Sequence, residues 1–288
     1  MKTDLVAGKL VELAPGVCRL VAPNPGMMTG PGTNTYILGG KETAVIDPGP
    51  AIDSHIESIC DLAPGPIKWI LVTHTHPDHS PAAAGLAEKT GAKLLGRPAP
   101  DGQYQDKTFI PDRILKNGEN FETPEVKLEV VYTPGHASNH LCYFYEKLNW
   151  LFTGDHIIDG STVVIDPPDG NMSDYLSSLE LLMDKVLAVI VPGHGGLLES
   201  PYEAIDWIIK HRLEREAKVI AALEEHPKSA CTDLVPHVYD DVHERLYGWA
   251  ERSLLAHLLK LETDERAIRD NDCWSLTVGQ IRETSPGG

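Results

Sequence analysis

The chain has 288 residues, 42% hydrophobic and 23% charged, a composition typical of a globular protein with a sizeable core. Its formal net charge of −17 disfavours non-specific binding to polyanions such as nucleic acids. The sequence has neither an apolar run long enough for a membrane span nor an apolar signal block near its N-terminus. Because the five cysteines are also scattered, with no CxxC pair, we expect a cytoplasmic protein with reduced thiols.

Short β-type runs alternate with helical runs up to about residue 200. Residues 22–33, rich in Gly and Pro with two methionines at the tip, fit either a surface turn or a mobile flap over a pocket. β-branched and aromatic content predicts strands at 35–38, 43–47, 67–73, 127–133, 141–146, 150–155 and 187–193. Apolar spacing predicts helices at 54–63, 81–91 and 173–186, the last with Ser173 as its N-cap.

The composition becomes mostly helical from Pro201. Two amphipathic helices are predicted at 202–225 and 243–262, followed by a short hairpin at 265–278. Helix, helix and hairpin are the outline of a winged helix. We therefore predict a mixed α/β domain over 1–210 and a small winged-helix-like domain over 211–288.

The stretch THTHPDHS carries four side chains that can bind a metal: His74, His76, Asp78 and His79. It follows the apolar run 67–73, so it lies where an open sheet presents its functional loops. A rigid strand end and Pro77 can aim several side chains at one point. Neutral imidazoles and carboxylates are ligands that suit zinc, manganese or iron.

Three later stretches repeat this order of apolar strand, turn and ligand. They place His136 after 127–133, Asp155 at the end of 150–155, and His194 after 187–193 between glycines. A single histidine in such a place is more often a packing residue. The repetition at several strand ends instead predicts that the ligands meet at one edge of the sheets.

The motifs HTHPDH, PGH, GD and GHG, in this order, resemble those of the metallo-β-lactamase superfamily. The resemblance implies a four-layer αββα sandwich with a two-metal site at its edge. It assigns His74, His76 and His136 to the first metal, Asp78, His79 and His194 to the second, and Asp155 to both. It also implies that Asp47, in TAVIDPG, supports the ligands from behind.

The chemistry implied is hydrolysis by a hydroxide held between two divalent metals, with zinc expected and manganese or iron as alternatives. Its targets are an ester, thioester, lactone or phosphodiester bond. Asp78 is a candidate catalytic residue because it would lie beside the nucleophile and orient it. His140 is the other: it is either a substrate contact or proton donor, or a residue that supports the ligands.

One branch of the superfamily is resembled more closely, on the segments GTNTYILGG, THTHPDHS, PGHGG and HRLERE. This branch has a C-terminal winged-helix-like domain and includes a mitochondrial single-stranded-RNA endoribonuclease. The substrate is therefore either a small molecule or single-stranded RNA. Thr33, Asn34 and Tyr36 would line the pocket, or simply form a turn that enters a strand.

Charge argues against duplex DNA as a partner. Basic and acidic residues balance in 243–262, and acidic residues outnumber basic ones in 202–225. The C-terminal domain is therefore expected to pack on the catalytic domain and wall the substrate cleft. A basic cluster fits a solvated helix face: Lys210, His211, Arg212, Arg215 and Lys218.

Four other functions compete with a general hydrolase. An iron oxidoreductase of the same fold would resemble HxExDH, with Glu in place of His76. A ligand-binding protein with a vestigial site is disfavoured by the full ligand set, and a nucleic-acid-binding regulator by the neutral helix. An antibiotic-destroying lactamase is disfavoured because no export signal is seen. The aromatic residues are too spread to mark a dimer face, so the sequence predicts no oligomeric state.

Replacing Asp78 by alanine tests the two-metal hypothesis. We expect the Asp78→Ala protein to lose metal from one site and nearly all hydrolysis, because Asp78 is both a ligand and a neighbour of the nucleophile. Metal analysis and a turnover assay check this. Full turnover by the variant would contradict the hypothesis.

Overall fold

The computed structural model describes residues 5–102 and 104–277. A seven-stranded sheet comes first in the chain, and its strands lie side by side in chain order. They are β1 Leu10–Ala14, β2 Val17–Val21, β3 Asn34–Gly39, β4 Thr43–Ile46, β5 Ile67–Leu71, β6 Lys93–Gly96 and β7 Arg113–Ile114. β1 to β4 pair antiparallel, and β4 to β7 pair parallel. Helical crossovers connect β4 to β5 and β5 to β6.

A five-stranded sheet faces the first, in the order β12-β11-β10-β9-β8. Its strands are β8 Asn120–Glu122, β9 Lys127–Tyr132, β10 Leu141–Tyr145, β11 Trp150–Gly154 and β12 Val189–Pro192. Helices α1 Asp53–Leu62 and α2 Ala82–Thr90 cover the first sheet, and α3 Met172–Met183 and the start of α4 Pro201–Glu225 cover the second. The predicted αββα sandwich is confirmed.

Three apolar clusters fill the spaces between these four layers. Tyr36, Leu71, Tyr143 and Phe152 belong to the cluster between the sheets. The other two lie outside the sheets, one under α1 and α2 and one under α3 and α4. Cover on both faces explains why strands such as β4 and β10 are buried at every position and mostly apolar.

The C-terminal unit consists of α5 Cys231–Val238, a short 3₁₀ turn at Glu244–Leu246, α6 Tyr247–Thr263, and a sheet of β13 Ser229–Ala230, β14 Ala267–Asp270 and β15 Cys273–Leu276. The predicted winged-helix-like outline is confirmed, although Val278, the last residue of the predicted hairpin, lies outside the described residues. The predicted boundary near residue 210 falls within α4. The first half of α4 packs on the sandwich and the second half on α5 and α6, so the two units share this helix.

Two local predictions are wrong. The N-cap of α3 is Asn171, whose side chain accepts a hydrogen bond from the Asp174 amide at 3.1 Å, and not Ser173. The basic cluster on α4 is not a solvated face throughout. Arg212 and Arg215 are buried, where Arg215 forms an ion pair with Asp241 at 2.8 Å.

Among the described residues, no helix is both long and apolar enough to span a membrane.

Candidate metal centre

Every predicted metal ligand lies just beyond the carboxyl end of a strand. His74, His76, Asp78 and His79 follow β5; His136 follows β9, Asp155 follows β11 and His194 follows β12. The two sheets present these ends at the same edge of the sandwich. Backbone hydrogen bonds join neighbouring strand ends there in two places. The Leu141 amide donates to the Thr73 carbonyl, and the Gly193 amide donates to the Gly154 carbonyl, both at 2.8 Å.

The first group of potential ligands is made of three imidazoles. His74 Nε2 and His136 Nε2 each lie 3.0 Å from His76 Nδ1. Each residue offers one nitrogen to a common point, and these atoms lie within 4.8 Å of one another. Three converging imidazole nitrogens are a donor set typical of zinc.

The second group combines Asp78, His79, Asp155 and His194. His194 Nε2 lies 3.1 Å from Asp78 Oδ2 and 3.2 Å from Asp155 Oδ1. Asp155 also faces the first group, since its Oδ2 lies 3.8 Å from His136 Nε2. Its carboxylate therefore lies between the two groups, the position expected for the bridging ligand that the resemblance implies.

The outer ring nitrogens of the histidines are held by hydrogen bonds. His136 Nδ1 donates to the Val164 carbonyl at 2.8 Å, and His79 Nδ1 donates to Asp47 Oδ2 at 2.9 Å. Since these acceptors carry no proton, each Nδ1 holds one, and Nε2 is the nitrogen that faces the site and would bind a metal once it carries no proton. The protein thus fixes the tautomer that a metal ligand needs.

Asp47 connects both groups. Besides His79, its carboxylate accepts from the Thr73 amide and the Thr73 hydroxyl, both at 2.7 Å. The same hydroxyl lies 3.0 Å from His74 Nδ1, so it can accept the imidazole proton while donating to Asp47. The supporting role predicted for Asp47 is confirmed, and it reaches one histidine in each group.

Gly193 explains why glycines flank His194. A Cβ atom on Gly193 would lie 2.8 Å from both Asp155 Oδ1 and His79 Cε1, closer than a Cβ atom comes to other heavy atoms in proteins. The backbone of this loop therefore lies directly against the second group, and only glycine fits there.

The site has the properties expected of a metal centre. Three buried polar atoms face its interior: His79 Nε2, Asp155 Oδ1 and His194 Nε2. Both nitrogens lie 3.2–3.3 Å from this oxygen, but within the described part of the chain none of the three atoms makes a hydrogen bond of acceptable geometry. Buried polar atoms without partners are costly, and a cation would satisfy all three at once. The residues present therefore fit metal ions.

The two groups differ in protonation. Burial, followed by the neighbouring His136, lowers the pKa of His76 to about 3, and burial lowers that of His74 well below its usual value. Burial also lowers the pKa of His194, but Asp155 and Asp78 outweigh it and raise the value to about 10. The same carboxylates raise the pKa of His79 against its burial. The second group thus favours a positive charge where the first does not.

His140 lies behind the ligands. Its ring is fully buried, 4.9 Å from the His74 ring, and its Nδ1 lies 3.0 Å from Thr133 Oγ1. This placement fits the supporting interpretation and not a substrate contact or proton donor. His156, predicted to be structural, is buried between His140 and Tyr175.

Asn34 and Tyr36 support the His194 loop, and Thr33 pairs with His194 in an isolated β-bridge. All three are buried. The Asn34 side chain donates to the carbonyls of Pro192 and Gly195 at 2.9 Å, and the Tyr36 hydroxyl donates to Pro192 at 2.6 Å. The structure therefore fits the alternative of a turn that enters a strand, because the Asn34 amide nitrogen and the Tyr36 hydroxyl are both used within the fold. The tip of the 22–33 loop is exposed at Met27 and Met28, and its mobility stays a prediction.

Several residues near the ligands carry no motif in the sequence. Gln105 accepts from the Thr75 hydroxyl at 2.5 Å and donates to Asp169 at 3.0 Å. Arg252 of α6 donates to Asp166 and to the Tyr104 hydroxyl, both at 2.9 Å. The C-terminal unit therefore reaches the loops around the site, as expected. The sequence showed only that these loops are polar, and gave no signal for the contacts of Gln105 and Arg252.

Comparison with protein families gives two matches. Residues 28–194 match the family model described as the metallo-β-lactamase superfamily. Residues 231–274 match the β-lactamase associated winged helix domain. Both models fall on the units that the structure shows.

Known proteins resemble the chain over most of its length. The β-lactamase-like protein 2 homolog of Drosophila melanogaster is 32% identical over 272 residues, 88% of this chain and 90% of that protein. The thioesterase pkgB of Emericella nidulans is 32% identical over 217 residues, 73% of this chain and 59% of its own. A solved β-lactamase domain protein from Burkholderia ambifaria shares the fold, with a TM-score of 0.83 and 22% identity over 96% of this chain and 95% of its own.

Replacing Asp47 by asparagine tests its central position. Asparagine offers one acceptor oxygen and an NH₂ group where three donors converge, so His79 and Thr73 lose their alignment. We expect metal affinity to fall about 10–100-fold, the usual effect of losing the partner of a metal-bound histidine. Competition with a chelator measures this, with Asp61→Asn on the exposed face of α1 as the matched control. Equal affinities for the two variants would contradict the prediction.

Metal uptake by the second group should release protons. The raised pKa of His194, about 10, and the raised pKa of His79 favour the protonated rings, which must lose protons to bind a metal. His74, His76 and His136, with lowered pKa values, release none. Affinity at the second group should therefore rise with pH up to about 10, the pKa of His194. Calorimetric titrations in buffers of different ionisation enthalpy measure the release, and equal release in both binding steps would contradict the assignment.

Proposed function

Because this chain belongs to the metallo-β-lactamase superfamily and is a hydrolase, we propose that it uses two zinc ions to hydrolyse acyl thioesters. The observation that carries the two-metal part is the pair of ligand groups that share Asp155. Manganese and iron are the alternative metals, since the same imidazole and carboxylate donors also suit them.

His74, His76 and His136 would hold the first ion, and Asp78, His79 and His194 the second, with Asp155 between them. Coordination by these residues stays a prediction. Bound there, such ions lower the pKa of water to about 7 and stabilise negative charge on the attacked substrate oxygen.

The side chains of the site set the direction from which a substrate approaches. The side chain of Asp78 is 25% exposed and that of Asp155 is 13% exposed, whereas His79 is fully buried. Asp78 therefore lies at the open side, where its free carboxylate edge can accept a hydrogen bond from the attacking water and orient it. Asp155 lies beneath it and is held between the two groups.

The leaving group decides between the candidate substrates. A departing alkoxide or amine needs a proton from a donor, and His140, the donor candidate of the sequence, is buried behind His74. A thiolate leaves without one because the pKa of an ordinary thiol is only about 8.5. The buried position of His140 thus favours a thioester over an ester or lactone. The relative named as a thioesterase supports the same choice.

Cleavage of single-stranded RNA is a second candidate, favoured by one feature. The guanidinium of Arg252 lies 4.6 Å from the Trp249 ring centroid and 5.0 Å from that of Tyr104. These rings are 38% and 40% exposed, and exposed aromatic rings beside an arginine can stack on unpaired bases. The net charge of −17 and the ion pair of Arg252 with Asp166 argue against this candidate.

Two substrate classes offered to one zinc-loaded preparation separate these candidates. We expect thiol release from acyl-coenzyme A and acyl-pantetheine thioesters. The rate of hydrolysis should fall about 100-fold or more in Asp78→Ala, a larger loss than follows from removing a residue that only supports a metal ligand. A coloured thiol reagent follows the thioesters. End-labelled single-stranded RNA is incubated in parallel.

Metal-dependent RNA cuts that are absent from Asp78→Ala, with thioesters left intact, would overturn the thioesterase proposal and favour the nuclease. Hydrolysis of oxygen esters at the same rate as their thioester analogues would contradict the argument from the leaving group. Full thioester turnover after complete metal removal would contradict the two-metal mechanism itself.

A further inference from the structure

The loop that carries His136 makes three hydrogen bonds with residues 163–171, in addition to those that Pro134 and Asn139 make elsewhere. His136 Nδ1 donates to the Val164 carbonyl at 2.8 Å, and the Ser138 hydroxyl donates to Asp169 Oδ1 at 2.5 Å. The Asn171 amide donates to the Gly135 carbonyl at 2.8 Å. The orientation of this histidine therefore depends on where the 163–171 segment lies.

The 163–171 segment is in turn held by two arginines from the C-terminal part of the chain. Arg212 of α4 donates to the Val163 carbonyl at 2.5 Å, one residue before the acceptor of His136. Arg252 of α6 forms an ion pair with Asp166 at 2.9 Å. Arg212 is buried, and the Arg252 side chain is 30% exposed. Each guanidinium thus fixes one point on the segment, and neither touches a candidate ligand.

Arg252 also reaches the neighbourhood of His76 by a second route. Its other terminal nitrogen donates to the Tyr104 hydroxyl at 2.9 Å. The next residue, Gln105, accepts from Thr75, which lies between His74 and His76, and donates to Asp169 of the 163–171 segment. One side chain of the C-terminal unit thereby links the supports of His136 and His76.

We propose that Arg252 of the C-terminal unit, together with Arg212 of the shared helix α4, is a positioning residue that sets the geometry of the first ligand group. The proposal rests on the proposed function only in that the first group holds a metal. It gives the winged-helix-like unit a role other than nucleic-acid binding: it holds the 163–171 segment so that the Val164 carbonyl meets His136 Nδ1.

The proposal separates the two ligand groups. The outer nitrogen of His79 is held by Asp47, and that of His194 faces the Gly32 carbonyl at 3.5 Å. Both supports belong to the catalytic domain and lie away from the 163–171 segment in sequence. A disturbance at Arg252 should therefore weaken metal binding at the first group and leave the second unchanged.

Arg252→Met is the main test, because it keeps an unbranched apolar side chain against Trp249 and Tyr104 while removing both hydrogen bonds. We expect one of the two metals to bind roughly three- to tenfold more weakly, less than the 10–100-fold expected when a direct partner of a metal-bound histidine is lost. Chelator competition with zinc or cobalt gives both affinities. Arg252→Lys should recover only part of the lost metal affinity, since a single ammonium group lacks the two fixed terminal nitrogens with which the guanidinium donates to Asp166 and Tyr104.

Arg269→Met is the matched control, because Arg269 forms its ion pair with Asp272 inside the C-terminal hairpin. It should leave both affinities at their wild-type values. A metal-free measurement is the exchange rate of the His136 Nδ1 proton by NMR, which should rise in Arg252→Met and stay unchanged in Arg269→Met. This readout needs neither metal nor substrate and does not respond to a general loss of stability shared by the two variants.

Wild-type affinities and wild-type proton exchange in Arg252→Met would overturn the positioning role. Equal weakening of both metals would overturn it as well, since a general loss of packing would then explain the effect. Failure of the proposed function is seen separately, as a wild-type protein that binds no metal pair or cleaves no thioester. Asp166→Asn combined with Arg252→Met should weaken metal binding no further than Arg252→Met alone, because both changes break one link.

Discussion

The site depends on the carboxylate of Asp47 and the three donors that converge on it. Asp47 follows β4 and has a φ of 49°, a conformation that aspartate tolerates better than most residues. It holds the backbone and hydroxyl of Thr73 at the end of β5, together with the ring of His79. The ends of two adjacent parallel strands are thereby locked together before any ligand enters the site. One buried anion aligns a histidine in each group, directly for His79 and through Thr73 for His74.

Backbone hydrogen bonds near Asp47 also join the two sheets to each other. Leu141 of the second sheet donates to Thr73 of the first, and Asn34 of the first donates to Gly193 beside His194. Ligands from four separate strand ends can converge because backbone hydrogen bonds, rather than flexible side chains, set the relative positions of the loops. A rigid backbone also keeps the imidazoles and the buried charges close together although they repel one another. Metal binding would then use a geometry that the fold has already formed.

Much of the site could be predicted from the sequence because each ligand follows an apolar strand, and strand ends meet at sheet edges. The supporting contacts could not. Asn34 and Tyr36 looked like pocket residues, but their polar atoms hold the His194 loop through contacts more than 150 positions apart in the chain. Gln105, Asp166 and Arg252 carry no local pattern, since their roles arise only when the loops and α6 come together.

The main strands and long helices follow from apolar periodicity, which is a local property of the chain. Helix α5 was missed because Pro236 lies inside it, and proline ordinarily breaks a helix. The buried side chains of Leu234, Val235 and Val238 hold it in the C-terminal core. Arg212 and Arg215 appeared solvated because helical spacing alone does not show that carbonyl groups and Asp241 face them.

The most direct test of the central claim is the number of metal ions held by each folded chain. Native mass spectrometry after equilibration with zinc and removal of loosely bound ions gives this number. The two ligand groups predict two ions per wild-type chain and one in a folded His194→Ala variant, which loses a ligand only from the second group. One ion in the wild-type chain, or two in both proteins, would contradict a two-metal centre built from these residues.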